Sequence, residues 1–139
     1  MSELYDSIRL TRSAATFTRA LGVDAPEGAD APCDIVLDKL FAEFGEDGAD
    51  RLFIYNPDAI ALWLFQKYTE LFKDAILRTQ IQLPVLSVMP SVTPVCFASM
   101  YSGVMPEVHG IMKYEKPVLK IATAFDVLAD AGKRCAIVS

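Results

Sequence analysis

Residues 90–111 read PSVTPVCFASMYSGVMPEVHGI, joining an apolar run to a small-residue segment, a glycine turn and the single histidine of the chain. At the centre stands Thr93-Pro94. A threonine directly before proline is a natural N-cap, with proline at the first helical position. The same placement turns backbone N–H groups and the positive end of the helix dipole toward whatever lies beside the Thr93 hydroxyl. A hydroxyl that receives a phosphoryl group would be held in the same way. Cap and nucleophile both remain open for Thr93 on local chemistry.

Working outward, residues 83–89 (LPVLSVM) form a strand pattern that feeds the motif. The helix predicted from Pro94 carries Ala98, Ser99, Ser102 and Gly103, small enough for close approach to a sheet, and Pro106 and Gly110 punctuate a turn around His109. Residues 51–55 (RLFIY) are a short apolar run of the buried parallel-strand type. The run ends in Asn56-Pro57-Asp58, at the carboxyl edge where open α/β sheets place ligands. Asp58 reads either as the N-cap of a long, largely buried helix over 59–77 or as a metal ligand. A further helix is expected over 121–131, closed by Gly132, and a third strand over 134–139. At the other end, the spacing predicts an amphipathic helix over 3–21, a loop over 23–33, and a helix over 34–44 capped by Asp34 and stopped by Gly45.

The alternation of strands and helices predicts parallel βαβ units in an α/β fold: a mostly parallel sheet flanked by helices on both faces. The chain reads as one domain over 1–139, a helical lead-in over 1–50 and βα units over 51–139. Its last residues form a strand with no helix to cover it. The expectation is therefore a truncated fold, the N-terminal portion of a larger domain, with an exposed apolar flank that drives self-association.

The 139 residues are enough for one core, 53% hydrophobic and 22% charged, with a net charge of −5. An acidic chain with scattered lysines and arginines argues against binding a nucleic-acid backbone. Cys33, Cys96 and Cys135 are widely spaced, so neither a disulfide framework nor a zinc knuckle is indicated. The N-terminus lacks the apolar core of a secretory signal. No charged side chain falls between Arg78 and Glu107, but Pro84, Pro90, Pro94 and Pro106 interrupt that stretch, which argues against a membrane span. The expected location is cytoplasmic.

The stretch resembles the alkaline phosphatase superfamily, in particular its nucleotide pyrophosphatase/phosphodiesterase branch. That branch carries a pattern close to P-T-x-T-x-P-N, then T-G, then Y-P-E-x-H-G-I. Here the corresponding residues are P-S-V-T-P-V-C, S-G and M-P-E-V-H-G-I, at the same spacing. Residues 53–58 (FIYNPD) resemble the first strand of the family and its metal-binding aspartate, and residues 131–139 resemble the next βα unit. The resemblance implies an alkaline-phosphatase-like core and a metal-dependent hydrolase of phosphodiester or pyrophosphate bonds, with a small phosphate-containing substrate. It makes Thr93 the nucleophile and a metal ligand, Asp58 a ligand of the same divalent ion, zinc, and Tyr114 the substrate-binding residue, standing where the family has asparagine. His109 is similar to the turn histidine that braces a loop. The remaining family ligands are Asp and His residues from the later half of the fold. With one histidine in all, the chain is expected to be catalytically incomplete by itself. The alternative expectation is a non-catalytic α/β module that binds a phosphate-bearing ligand or a protein partner. Cys96 lacks the C-x-P-x-R context of a sulfatase and reads as a small buried hydrophobe.

Overall fold

A computed structural model describes residues 7–138. Helix α1 spans Arg12–Ala20, α2 Asp34–Phe44, α3 Leu62–Lys67 and α4 Lys73–Arg78, with a 3-10 turn at Thr69–Phe72 between the last two. Helix α5 spans Thr93–Ser102, α6 Pro106–His109 and α7 Ala124–Asp130. Small residues set the close packing of α1 against α2, α5 and α7. Ala14, Ala15 and Ala20 on α1, Val95 and Ala98 on α5, and Ala124 and Leu128 on α7 are all buried. Val88, Val95, Ala98 and Ile111 form one contiguous cluster, onto which Leu10, Val92, Cys96 and Leu119 pack.

The expected parallel sheet is not formed. Among the described residues there is no strand, and the β pairing present is an isolated parallel bridge between Arg9 and Leu86. In it the Leu10 N–H donates to the Leu86 carbonyl at 2.9 Å, and the Leu86 N–H donates to the Ile8 carbonyl at 2.8 Å. Residues 51–55 and 134–138 form no strand and, among the described residues, make no backbone-to-backbone hydrogen bond. Most of their apolar side chains face solvent: Phe53 is 88% exposed and Val138 98%. A short apolar run satisfies the pattern of a buried strand, but a parallel ladder also needs a second strand brought alongside by a crossover. The segments between these runs do not bring one. An alkaline-phosphatase-like α/β core is therefore absent from the described residues, and helices carry the packing.

Other boundaries shift too. The predicted 3–21 helix starts at Arg12, because residues 8–10 are spent on the bridge to Leu86; residues 3–6 of that prediction lie outside the described residues. The predicted long helix over 59–77 is broken and largely exposed, with Trp63, Leu71 and Leu77 open to solvent. Its break falls at Tyr68, and the following Thr69 hydroxyl donates back to the carbonyls of Phe65 and Gln66. Such back-bonding competes with the regular helical ladder. By contrast, α2 ends at Gly45 as the sequence predicts, whereas Gly103, expected within the helix from Pro94, ends α5, and the expected turn around His109 contains the short α6, ended by Gly110. Helix α7 is shorter than expected because Thr123 caps it. The Thr123 N–H and hydroxyl both donate to the Asp126 carboxylate, which closes a capping box. These bonds hold the Asp126 carboxyl below its ordinary pKa.

Candidate functional site

The turn carrying Asp58 and the start of α5 meet. The Thr93 hydroxyl lies 3.3 Å from each oxygen of the Asp58 carboxylate, to which it donates. Thirty-five positions separate the two residues in sequence, so tertiary structure creates the pair. The contact is exposed and longer than the 2.7–2.8 Å usual for O–H···O bonds, so it contributes little to stability.

Neither residue acts as a helix cap. The N-cap of α5 is Val92, in extended backbone, and Thr93 is the first helical residue with Pro94 behind it. No side chain caps that helix, which leaves the Thr93 hydroxyl free for Asp58. Helix α3 likewise starts beyond Asp58, with Ala61 as its N-cap. Apart from the Thr93 hydroxyl, Asp58 Oδ1 accepts the adjacent Ala59 N–H, at 3.0 Å, within a turn whose Ala59 holds a left-handed φ of 58°. The capping roles open to both residues on sequence are therefore taken by their neighbours.

The third predicted site residue is not drawn in by any bond. Tyr114 lies on the loop after α6, is 69% exposed, and its phenol forms no hydrogen bond among the described residues. His109 is buried inside the turn. Its Nδ1 accepts the Ile111 N–H at 3.1 Å and its Nε2 pairs with the Ser99 hydroxyl at 2.9 Å. An acceptor Nδ1 places the neutral ring's proton on Nε2, which donates to Ser99. Burial holds the imidazole below its usual pKa, against the opposing pull of the Glu107 carboxylate. His109 thus ties α5 to the H-G-I turn and has no ring nitrogen free for a ligand. Cys96 is half-buried against the core cluster.

Two residues beside the site escape the sequence reading. Asn56 Nδ2 donates to the Tyr101 hydroxyl at 2.8 Å, linking the Asp58 turn to the far end of α5. Burial raises the Tyr101 pKa, partly offset by the Asn56 bond. The available signal was an i, i+4 aromatic pair, Phe97 and Tyr101, on a helix otherwise rich in small residues. Two concave regions elsewhere, one between residues 27–31 and α6 and one between α1 and residues 81–85, are not lined by Asp58 or Thr93. Among the described residues, no group of three or more His, Cys, Asp and Glu gathers as a metal site. No helix there is long and apolar enough to cross a membrane.

Comparison with curated proteins and with solved structures gives no match. Comparison with protein families does: residues 57–125 match the model of the type I phosphodiesterase / nucleotide pyrophosphatase family. The matched span begins one residue before Asp58 and takes in α5, the His109 turn and Tyr114. This match, over just under half of the chain, supports the type I phosphodiesterase / nucleotide pyrophosphatase branch, and with it a phosphate-ester hydrolase at the level of the family.

Proposed function

We propose that Thr93 is the nucleophile of a phosphodiester- or pyrophosphate-cleaving site in which Asp58 is its partner. The observation that carries this reading is the 3.3 Å approach of the Thr93 hydroxyl to both Asp58 oxygens, with neither side chain used as a cap. Thr93 Oγ attacks phosphorus, the P–O bond to the leaving oxygen breaks, and the hydroxyl proton passes by way of Asp58 to that oxygen. Water then attacks the phosphothreonine, the Thr93–phosphorus bond breaks, and the proton returns to the threonine. The N-terminus of α5 favours the negative charge on the phosphoryl oxygens.

A divalent ion, zinc on the family resemblance, would be held by Asp58 and Thr93 and would lower the pKa of the threonine hydroxyl. Two oxygens on one edge of a tetrahedral zinc shell lie about 3.3–3.6 Å apart for metal–oxygen bonds of about 2.0–2.2 Å. The observed 3.3 Å spacing suits that edge. The pair supplies only two ligands of such a shell, so the chain by itself is expected to be catalytically incomplete, with slow residual turnover only. Tyr114, exposed near the H-G-I turn, is the proposed donor to substrate oxygen.

The test is a chromogenic phosphodiester with zinc or manganese, together with titration of the metal alone. Native chain should turn over slowly, Thr93→Val should lose at least about 100-fold of that rate, and Asp58→Asn should bind the metal more weakly. A Thr93→Val variant that hydrolyses the diester at the native rate would refute the proposal.

Two further parts of the reading concern context. The free thiols Cys33, Cys96 and Cys135 support a reducing, cytoplasmic setting. The exposed side chains of Phe53, Tyr55, Trp63 and Leu71 support self-association through that apolar flank.

A further inference from the structure

The turn that carries Asp58 has few anchors. Among the described residues no backbone-to-backbone hydrogen bond ties residues 50–60 to another segment; the last before them is Ala49 N–H to the Ala20 carbonyl. Side chains provide the attachment instead: Asn56 to Tyr101 at 2.8 Å, and Thr93 to Asp58 at 3.3 Å.

Tyr101 is well suited to be the fixed end. Its ring stacks on Phe97 of the same helix, with centroids 5.9 Å apart and an interplanar angle of 3°. It also meets Phe17 of α1 at 6.4 Å and Phe125 of α7 at 4.7 Å. Rings from three helices therefore set where the phenol oxygen lies, independently of the turn.

The dimensions agree. Thr93 and Tyr101 are both on α5, and eight helical residues rise about 12 Å. Helical side chains lean toward the N-terminus, so the long tyrosine shortens that distance. The two steps from Asn56 to Asp58, each of which spans up to about 3.5 Å, bridge the rest. Pro57 between them fixes its own φ and removes one donor that would otherwise need a partner. Asn56 and Asp58 thus grip α5 at two points along its axis.

We propose that the Tyr101 hydroxyl, through Asn56, is the positioning element that holds Asp58 against Thr93. Tyr101 and Asn56 touch no reacting atom; they set where Asp58 sits. The catalytic meaning of this rests on the proposed roles of Asp58 and Thr93, whereas the positioning itself is a statement about geometry.

The experiment is solution NMR on the whole chain, reading the nuclear Overhauser effect between the Thr93 γ-methyl and the Asp58 β-protons. The native chain should show it. Tyr101→Phe keeps the stacked ring and removes only the hydroxyl, and should weaken it severalfold. The Nε2 proton of His109, buried against the Ser99 hydroxyl, should stay observable and report that the core is intact. A native chain without the Overhauser effect, or a Tyr101→Phe chain that retains it in full, overturns the proposal. Should Tyr101→Phe lose the His109 signal as well, Asn56→Ala decides. Loss of the Overhauser effect with the His109 proton intact supports the positioning role, and retention overturns it. Thr93→Val in the hydrolysis assay tests the nucleophile separately, so either idea fails without taking the other with it.

Discussion

Gly103 ends the helix that begins with Thr93, and replacing it with alanine should cost far more than the same change at Gly110. Both glycines hold left-handed backbone, with φ of 79° and 80°. Each substitution therefore carries the conformational penalty of an L-residue in that region, about 1–2 kcal/mol. Their surroundings differ. A Cβ on Gly110 would meet nothing within 4 Å. A Cβ on Gly103 would lie 2.5 Å from the Ala29 Cβ, 3.1 Å from the Ala29 Cα and 3.2 Å from the Ala14 Cβ. Ala29 has no flexible side chain to yield, so the 28–31 loop must move. That loop is held by the Asp30 N–H bond to the Gly103 carbonyl at 2.8 Å and by the Thr11 hydroxyl on Asp30 at 2.8 Å. Overpacking of this kind costs about 1–3 kcal/mol, and a weakened hydrogen bond about 1 kcal/mol more. The expected totals are about 1–2 kcal/mol for Gly110→Ala and about 3–6 kcal/mol for Gly103→Ala. For a chain of this length 1 kcal/mol moves Tm by about 3–4 °C, so the two variants, about 2–4 kcal/mol apart, should separate by about 6–16 °C. Urea unfolding followed by circular dichroism, with thermal melts alongside, measures both. Equal losses at the two positions would refute the reasoning, since only packing distinguishes them.

Two further outcomes are expected. The buried His109 imidazole has its pKa below the ordinary 6.5, so the unfolded chain binds the proton more readily than the folded one. Stability should be level above about pH 6.5 and fall as pH drops through the folded pKa; His109→Gln should flatten that decline in urea midpoints between pH 7 and 5. The exposed Phe53, Trp63 and Leu71 should give a concentration-dependent mass in light scattering, and a clean monomer at high concentration would contradict self-association.

The residues legible in sequence are those whose signal is local. Gly45 stops its helix as expected, because positive φ at a helix end is a property of the glycine itself, whereas the same signal at Gly103 is hidden when that residue is read as a small one inside a helix. The His109 brace is expected from the resemblance of the M-P-E-V-H-G-I turn to the family, and the structure adds its partner, Ser99. Phe53 and Val138 could not be placed in this way. An apolar run of four or five residues carries the same signal whether it ends in a ladder or in solvent. What decides is whether another segment arrives beside it, which no window of sequence reports. The bridge from Arg9 to Leu86 makes the point in reverse, since nothing in residues 8–10 marks them as the partner of residue 86.

Asp58 and Thr93 lie between these two cases. Both were singled out as helix caps with a second possible role, and the local pattern could not choose between them. The choice rests on shifts of one and three residues. Moving the cap of α5 back to Val92 and that of α3 forward to Ala61 leaves the backbone donors to other residues and releases two oxygen-bearing side chains. Neither shift follows from capping preference, since valine and alanine are poor caps compared with threonine and aspartate. A helix that starts on a poor cap while a good one stands beside it gives up about 1 kcal/mol. The exposed 3.3 Å contact between Thr93 and Asp58 does not return that as stability. Local rules are broken most often where a site requires it. Two departures from capping preference whose side chains then meet, across a separation of thirty-five positions, are the pattern that the proposed shared role of Thr93 and Asp58 requires.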